Sequence, residues 1–160
     1  MGCGLVALLK ESASLRLAGA IEGDKHPTLG QDAGEIAGCG RMGVAITDDL
    51  SSLLDRGEVV IDFSSPHATL EHFRIVAHHR RAMVIGTTGF SASDIRQIHE
   101  LTGVVPCVLS PNMSVGVNLI CKVIAEMART LGDGYDIEVV EAHHRLKKDA
   151  PSGTALKLAE

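Results

Sequence analysis

Tryptophan is absent from this 160-residue chain, which has one tyrosine and three phenylalanines. Its core must therefore be assembled from Val, Ile, Leu, Ala and Met, small aliphatic residues that suit a buried parallel sheet covered by helices. The same scarcity removes the aromatic platforms on which nucleic-acid bases stack. Fifteen basic against 20 acidic residues leave a formal charge of −5 with no basic stripe, so no nucleic-acid partner is expected. The longest apolar runs, such as Val104 to Leu109, fall far below the ~20 residues of a membrane span, so no membrane association is expected either. No basic segment leads an apolar stretch after Met1, and an acylation site would need Ser or Thr where Val6 stands. The four cysteines, Cys3, Cys39, Cys107 and Cys121, form no C-x-x-C pair and no metal-ligand spacing. They read as free thiols in a reducing compartment, and the chain as cytoplasmic. Among eight histidines, His78-His79 lie in the polar stretch His78-His79-Arg80-Arg81. That context is a solvated helix end rather than a ligand set, and no metal is expected.

What is present is a 45% hydrophobic chain, long enough for one domain or for a domain and part of a second. Leu5 to Glu11 reads as the tail of a helix, and Leu15 to Glu22 as a strand. Val44 to Thr47 is a second short strand, after which Asp48-Asp49-Leu50 opens a helix towards Arg56. Val59 to Phe63 reads as a buried strand, and Ser64-Ser65-Pro66 as the start of a helix to about Arg80. Ala82 to Gly86 is the next strand. Ser91 with Asp94 makes a capping box whose helix ends at Gly103, and Val104 to Leu109 is again a strand. Ser114 caps a helix running from Val115 to Leu131 and closed by Gly132; Asp136 to Glu141 reads as a strand; Pro151-Ser152-Gly153-Thr154 starts a last helix. Strands alternating with helices over short connections predict an α/β fold with a doubly wound, Rossmann-type parallel sheet. The Ser110 to Ser114 break, after which the long helix begins a different rhythm, separates a first domain, residues 1–113, from the start of a second, residues 114–160.

Gly38-Cys39-Gly40-Arg41-Met42-Gly43 matches G-x-G-x-x-G letter for letter. That motif receives a pyrophosphate only when a strand precedes it and a helix follows. Here a polar stretch precedes and a β-branched run follows, so it is not expected to bind phosphate. The glycine turn then belongs ahead of the first complete strand, where residues 1 to 14 are too few for it. The acidic residue expected about 20 positions past that turn, at the end of the second strand, is Glu22.

Chemistry concentrates in Glu141-Ala142-His143-His144-Arg145-Leu146-Lys147-Lys148-Asp149-Ala150-Pro151-Ser152-Gly153-Thr154. Cationic and protonatable groups cluster here, directly ahead of a Ser-Gly-Thr helix start. Exposed N–H groups, a glycine for close approach and a Thr hydroxyl suit a carboxylate or phosphate. His and Lys beside them can exchange protons near neutral pH. Local physics leaves a polar surface loop as the alternative.

The pattern E-A-H-H-R-x-K-x-D-A-P-S-G-T resembles the signature of 4-hydroxy-tetrahydrodipicolinate reductases at every fixed position. Ile61-Asp62-Phe63, Gly86-Thr87-Thr88-Gly89-Phe90 and Pro111 to Asn118 agree in order and approximate spacing. The resemblance implies an enzyme of the diaminopimelate and lysine pathway that uses NADH or NADPH to reduce a cyclic dicarboxylate. It implies His143 as acid/base residue, Lys147 as proton donor, and His144, Gly153 and Thr154 as substrate-holding residues. Cofactor contacts fall by the same implication on Glu22, on Gly86, Thr87 and Thr88, and on Ser110, Pro111, Asn112 and Met113. A homotetramer is implied for the full-length family member. Members are normally longer, so the chain is expected to lack the first strand, most of the glycine turn and the rest of the substrate domain. Two other readings stay open: another Rossmann-fold amino-acid dehydrogenase, and an inactive nucleotide-binding or assembly fragment.

Overall fold

The computed structural model describes residues 1–145, 147 and 150–160. The described residues begin with helix α1 (Gly2–Glu11), followed by strand β1 (Ala20–Ile21), helix α2 (Ala33–Ile36) and strand β2 (Ile46–Thr47). Strand β3 (Val59–Asp62), helix α3 (Pro66–His78), strand β4 (Ala82–Ile85), helix α4 (Ala92–Thr102) and strand β5 (Cys107–Leu109) form the central part. Helices α5 (Val115–Leu131) and α6 (Gly153–Ala159) follow.

All strand pairing within the sheets is parallel, as expected, but it is divided. β1 pairs with β2, while β3, β4 and β5 form a separate three-stranded sheet in that order. β1 and β3 are both edges, and the solvent-exposed Val59 and Ile61 lie on β3. The second correction concerns Asp136 to Glu141, which forms no strand and is exposed throughout. A strand is held by its ladder partners, and the described residues supply none to this segment. The helix expected from Asp48-Asp49 shortens to a 3₁₀ turn at Ser51–Leu53, where Asp49 accepts from the Ser52 amide at 3.3 Å.

The helix starts follow local capping chemistry. Ser65 accepts from the Ala68 amide with Pro66 at the first helical position. Ser91 and Asp94 complete both halves of a capping box. Ser114 and Ser152 cap α5 and α6. α3 packs on β4 and on α4, and the core lies among them: Phe73, Val76 and Ile85 are fully buried, with Leu54, Met83 and Ile98 beside them. The C-terminal ends of β3, β4 and β5 are thereby set on a packed base. α5, by contrast, leaves Leu119, Ile120, Val123 and Met127 exposed along its apolar face.

Candidate functional site

Three turns leave the C-terminal ends of β3, β4 and β5. The Gly86 amide donates to the Asp62 carbonyl at 2.8 Å, which ties the second turn to the first. Gly86 is required by what faces it: a Cβ there would lie 2.0 Å from Cε1 of the Phe63 ring. Thr87 is buried and turns its hydroxyl inward, accepting from the Ser64 amide at 3.0 Å and from the Thr69 hydroxyl at 2.9 Å. Its side chain is therefore committed to the interior, whereas neighbouring Thr88 is exposed. In the third turn the Ser110 hydroxyl donates to the Asn112 carbonyl at 2.7 Å, and the Asn112 side chain accepts from the Ser114 amide at 2.9 Å.

Asp62 underlies the first two turns. Its buried carboxylate accepts from the Ser64 hydroxyl at 2.6 Å and amide at 2.8 Å, and lies 2.7 Å from His72 Nδ1. Burial alone would raise its pKa, but the hydrogen bonds from His72 and Ser64 outweigh that and hold it below the ordinary 3.8.

The cation-rich segment is anchored by its first residue. Glu141 Oε1 accepts from the Ser152 amide at 2.8 Å, while Oε2 lies 3.5 Å from His143 Nδ1. Hydrogen bonds from Ser152, then the nearby His143 and Lys147 charges, hold this carboxyl below its usual value. Ser152 is itself buried and caps α6 through the Ala155 amide. The Lys147 amide donates to the His144 carbonyl at 3.1 Å. Asp149, one of the fixed positions of the pattern, lies outside the described residues, as do Leu146 and Lys148.

The start of α6 sits against the strand-end turns. A Cβ on Gly153 would lie 3.3 Å from Thr88 Cγ2 and 3.4 Å from Pro111 Cβ, and the Asn112 side-chain amide donates to the Thr154 hydroxyl at 3.1 Å. Residues separated by 42 positions thus share one surface with Thr88. Glu22 stands apart at the end of β1. Its carboxylate accepts from the Gly23 amide at 3.3 Å, and no hydrogen bond among the described residues joins it to the other turns. Glu22 with acceptor capacity to spare, an exposed Thr88 and a glycine-floored turn fit a dinucleotide at the carboxyl ends of parallel strands.

The G-x-G-x-x-G loop has the reverse context, with helix α2 before it and strand β2 after it. Its Gly38, Cys39, Met42 and Gly43 amides are already occupied, the first two by carbonyls of α2. Asp32 accepts from Met42 at 3.0 Å, Gly43 at 2.6 Å and Val44 at 3.2 Å, while also capping α2. The Met42 amide leads the bonds that hold the Asp32 carboxyl below its ordinary pKa. The protein's own carboxylate fills this anion nest. Gly40→Ala is accordingly expected to leave NADH and NADPH affinity within about twofold, although φ of +82° makes the backbone change unfavourable by roughly 1–2 kcal/mol. A fluorescence titration of folded variant and parent checks this; a large loss of affinity would reassign the loop.

Sequence reasoning named Asp62 only as part of a matching segment and passed over His72. A charged residue ending a segment that reads as a buried strand was the available signal, since an aspartate is rarely fully buried without partners.

Parallel strands under helical cover, with glycine- and hydroxyl-bearing turns at their carboxyl ends, define a Rossmann-type α/β protein. The chain belongs to the dihydrodipicolinate reductase family: residues 1–113 match the family's N-terminal part and residues 116–160 its C-terminal part. It is 49% identical over all 160 residues to the 4-hydroxy-tetrahydrodipicolinate reductase of Syntrophus aciditrophicus, and 46% identical to that of Syntrophobacter fumaroxidans. The chain spans 60% of the length of each of these curated relatives. Among solved structures, a dipicolinate-bound dihydrodipicolinate reductase from Paenisporosarcina superposes with a TM-score of 0.70 at 28% identity, over 99% of this chain and 60% of that one. An amine dehydrogenase from Mycobacterium smegmatis, at 22% identity and a TM-score of 0.53 over 68% of this chain and 36% of that one, shares the fold alone.

Proposed function

We propose that this chain supplies the coenzyme-binding domain, residues 1–113, and the start of the substrate domain, residues 114–160, of a pyridine-nucleotide oxidoreductase. The reaction is reduction of 4-hydroxy-tetrahydrodipicolinate to tetrahydrodipicolinate on the route to diaminopimelate and lysine, carried out by a cytoplasmic homotetramer. The observation that chiefly supports it is the contact of Gly153 and Thr154 with Thr88, Pro111 and Asn112. It brings the residues assigned to a carboxylate against those assigned to the coenzyme, as a transfer between two bound molecules requires.

NADH or NADPH, when bound, supplies the hydride. Glu22 would accept from the ribose hydroxyls, and Gly86 to Thr88 with Ser110 to Met113 would line the nucleotide. Because the Thr87 hydroxyl is turned inward, Thr87 contributes main-chain atoms only. His144, Gly153 and Thr154 hold the substrate carboxylates, while His143 and Lys147 hold the protons that follow hydride arrival. Glu141 sets His143 relative to the Ser152 turn.

The test is oxidation of NADH and NADPH with the product of dihydrodipicolinate synthase, on this chain and on a version extended to the length of a curated relative. Turnover specific to that substrate supports the reading; coenzyme oxidation with amino-acid precursors instead would point to another dehydrogenase. The same titrations should show NADPH binding about 5- to 150-fold weaker than NADH at low salt, since the Glu22 carboxylate repels a 2′-phosphate. The nearby cation Lys25 lies 3.9 Å from Asp24, and His26 Nδ1 lies 2.7 Å from the Thr28 hydroxyl. NADPH binding as tight as NADH would give the phosphate a cationic partner.

A further inference from the structure

His72 and Asp62 lie outside every role assigned above, yet the first two strand-end turns converge on them. Asp62 Oδ1 accepts from the Ser64 amide at 2.8 Å, the Ser64 hydroxyl at 2.6 Å and the Thr87 hydroxyl at 3.4 Å, while the Thr69 hydroxyl, which donates to Thr87, lies 3.3 Å away. His72 Nδ1 reaches Oδ2 at 2.7 Å from the second turn of α3. An ionised carboxylate only accepts, so His72 Nδ1 donates to it. The Asp62 main chain holds the same place, its carbonyl receiving the Gly86 amide at 2.8 Å. Thr87 has no hydroxyl left for a ligand, so its orientation is set entirely from beneath, by Ser64, Thr69 and Asp62.

We infer that His72 and Asp62 are positioning residues for the coenzyme: the pair fixes the Gly86-Thr87-Thr88 turn in its binding conformation without touching the nucleotide. This inference rests on the assignment of that turn to the coenzyme. Buried carboxylates with all partners present rigidify their surroundings, and losing one partner leaves the others to rearrange. Loss of the imidazole donor frees Oδ2 to draw the hydroxyls away from their present partners. The amides above them then lose their arrangement. The main cost falls on the ligand that uses those amides, and a smaller one on Gly153, which packs against Thr88.

The test uses His72→Leu, which removes the donor, and His72→Asn, whose side-chain amide can present an N–H where Nδ1 stands. NADH binding is titrated directly by fluorescence, and hydrogen exchange is followed at Gly86 to Thr88. Expected is a dissociation constant for NADH raised about tenfold in folded His72→Leu, the order of one lost hydrogen bond to a charged group. Faster exchange at the turn should accompany it, with the parent affinity restored to within about twofold in His72→Asn. A folded His72→Leu with parental NADH affinity would overturn the inference, as would an equal loss in His72→Asn. Should His72→Leu not fold, Thr69→Val removes only the hydroxyl between Asp62 and Thr87; raised dissociation supports the pair's role, and no change defeats it. Because binding is read without turnover, absence of activity towards the dicarboxylate would count against the proposed reaction and leave this result to be judged on its own. Should the parent bind no NADH, the assignment of the turn fails and the inference with it.

Discussion

Replacing His143 or Lys147 with Ala in a version extended to the length of a curated relative is expected to lower turnover roughly 10²-fold or more, the usual scale for a positioned acid or base. The coenzyme's dissociation constant should change little, because neither residue lies on the turns assigned to the nucleotide. His143 is held 3.5 Å from Glu141, whose other oxygen receives the Ser152 amide, so the imidazole and the start of α6 share one anchor. Steady-state kinetics with the coenzyme saturating give the result directly. Turnover within about twofold of the parent would remove both residues from the mechanism, and a loss confined to the Michaelis constant of the substrate would make them binding groups instead.

Phe73→Ala is expected to lower stability by about 3–5 kcal/mol, the range for deleting a fully buried aromatic ring. Phe73 is 0% exposed and packs with Val76, Met83, Ile85 and Ile98, the cluster on which the strand-end turns stand. Against a typical total of about 5–15 kcal/mol, that loss approaches the threshold of folding. Urea unfolding followed by circular dichroism measures it through the shift in midpoint at unchanged slope. A loss below about 1 kcal/mol would mean that the site collapses around the missing ring. With so few aromatics, the chain has no second ring in this core to take over: Phe63 lies against Gly86 and Phe90 packs on the cluster's edge.

Features governed by neighbours a few positions apart could be read from the letters. Ser91 and Asp94 announced a capping box because each satisfies the other's orphan N–H, and Ser114 and Ser152 announced helix starts for the same reason. Rejection of the Gly38 to Gly43 loop needed only the order of elements around it. Longer-range features were less legible. The expected strand from Leu15 to Glu22 contracts to Ala20–Ile21, and Val104 to Leu109 to Cys107–Leu109, because apolar pattern marks what can pair and the register decides what does. Asp136 to Glu141 carries strand-like letters and finds no partner among the described residues.

The amino-acid sequence by itself determined the alternation of strands and helices, their caps, and the family pattern from Glu141 to Thr154. Each depends on residue type and short spacing, and survives without knowledge of the path between. Tertiary structure alone decided that Asp32 fills the amide nest of the G-x-G-x-x-G loop, that Thr87 faces inward and Thr88 outward, and that Asn112 meets Thr154. It also decided that His72 stands over Asp62. Those pairs lie about 10 to 42 positions apart. Their geometry follows from how the parallel strands stack and where the crossover helices return, and a linear pattern of polar residues contains neither.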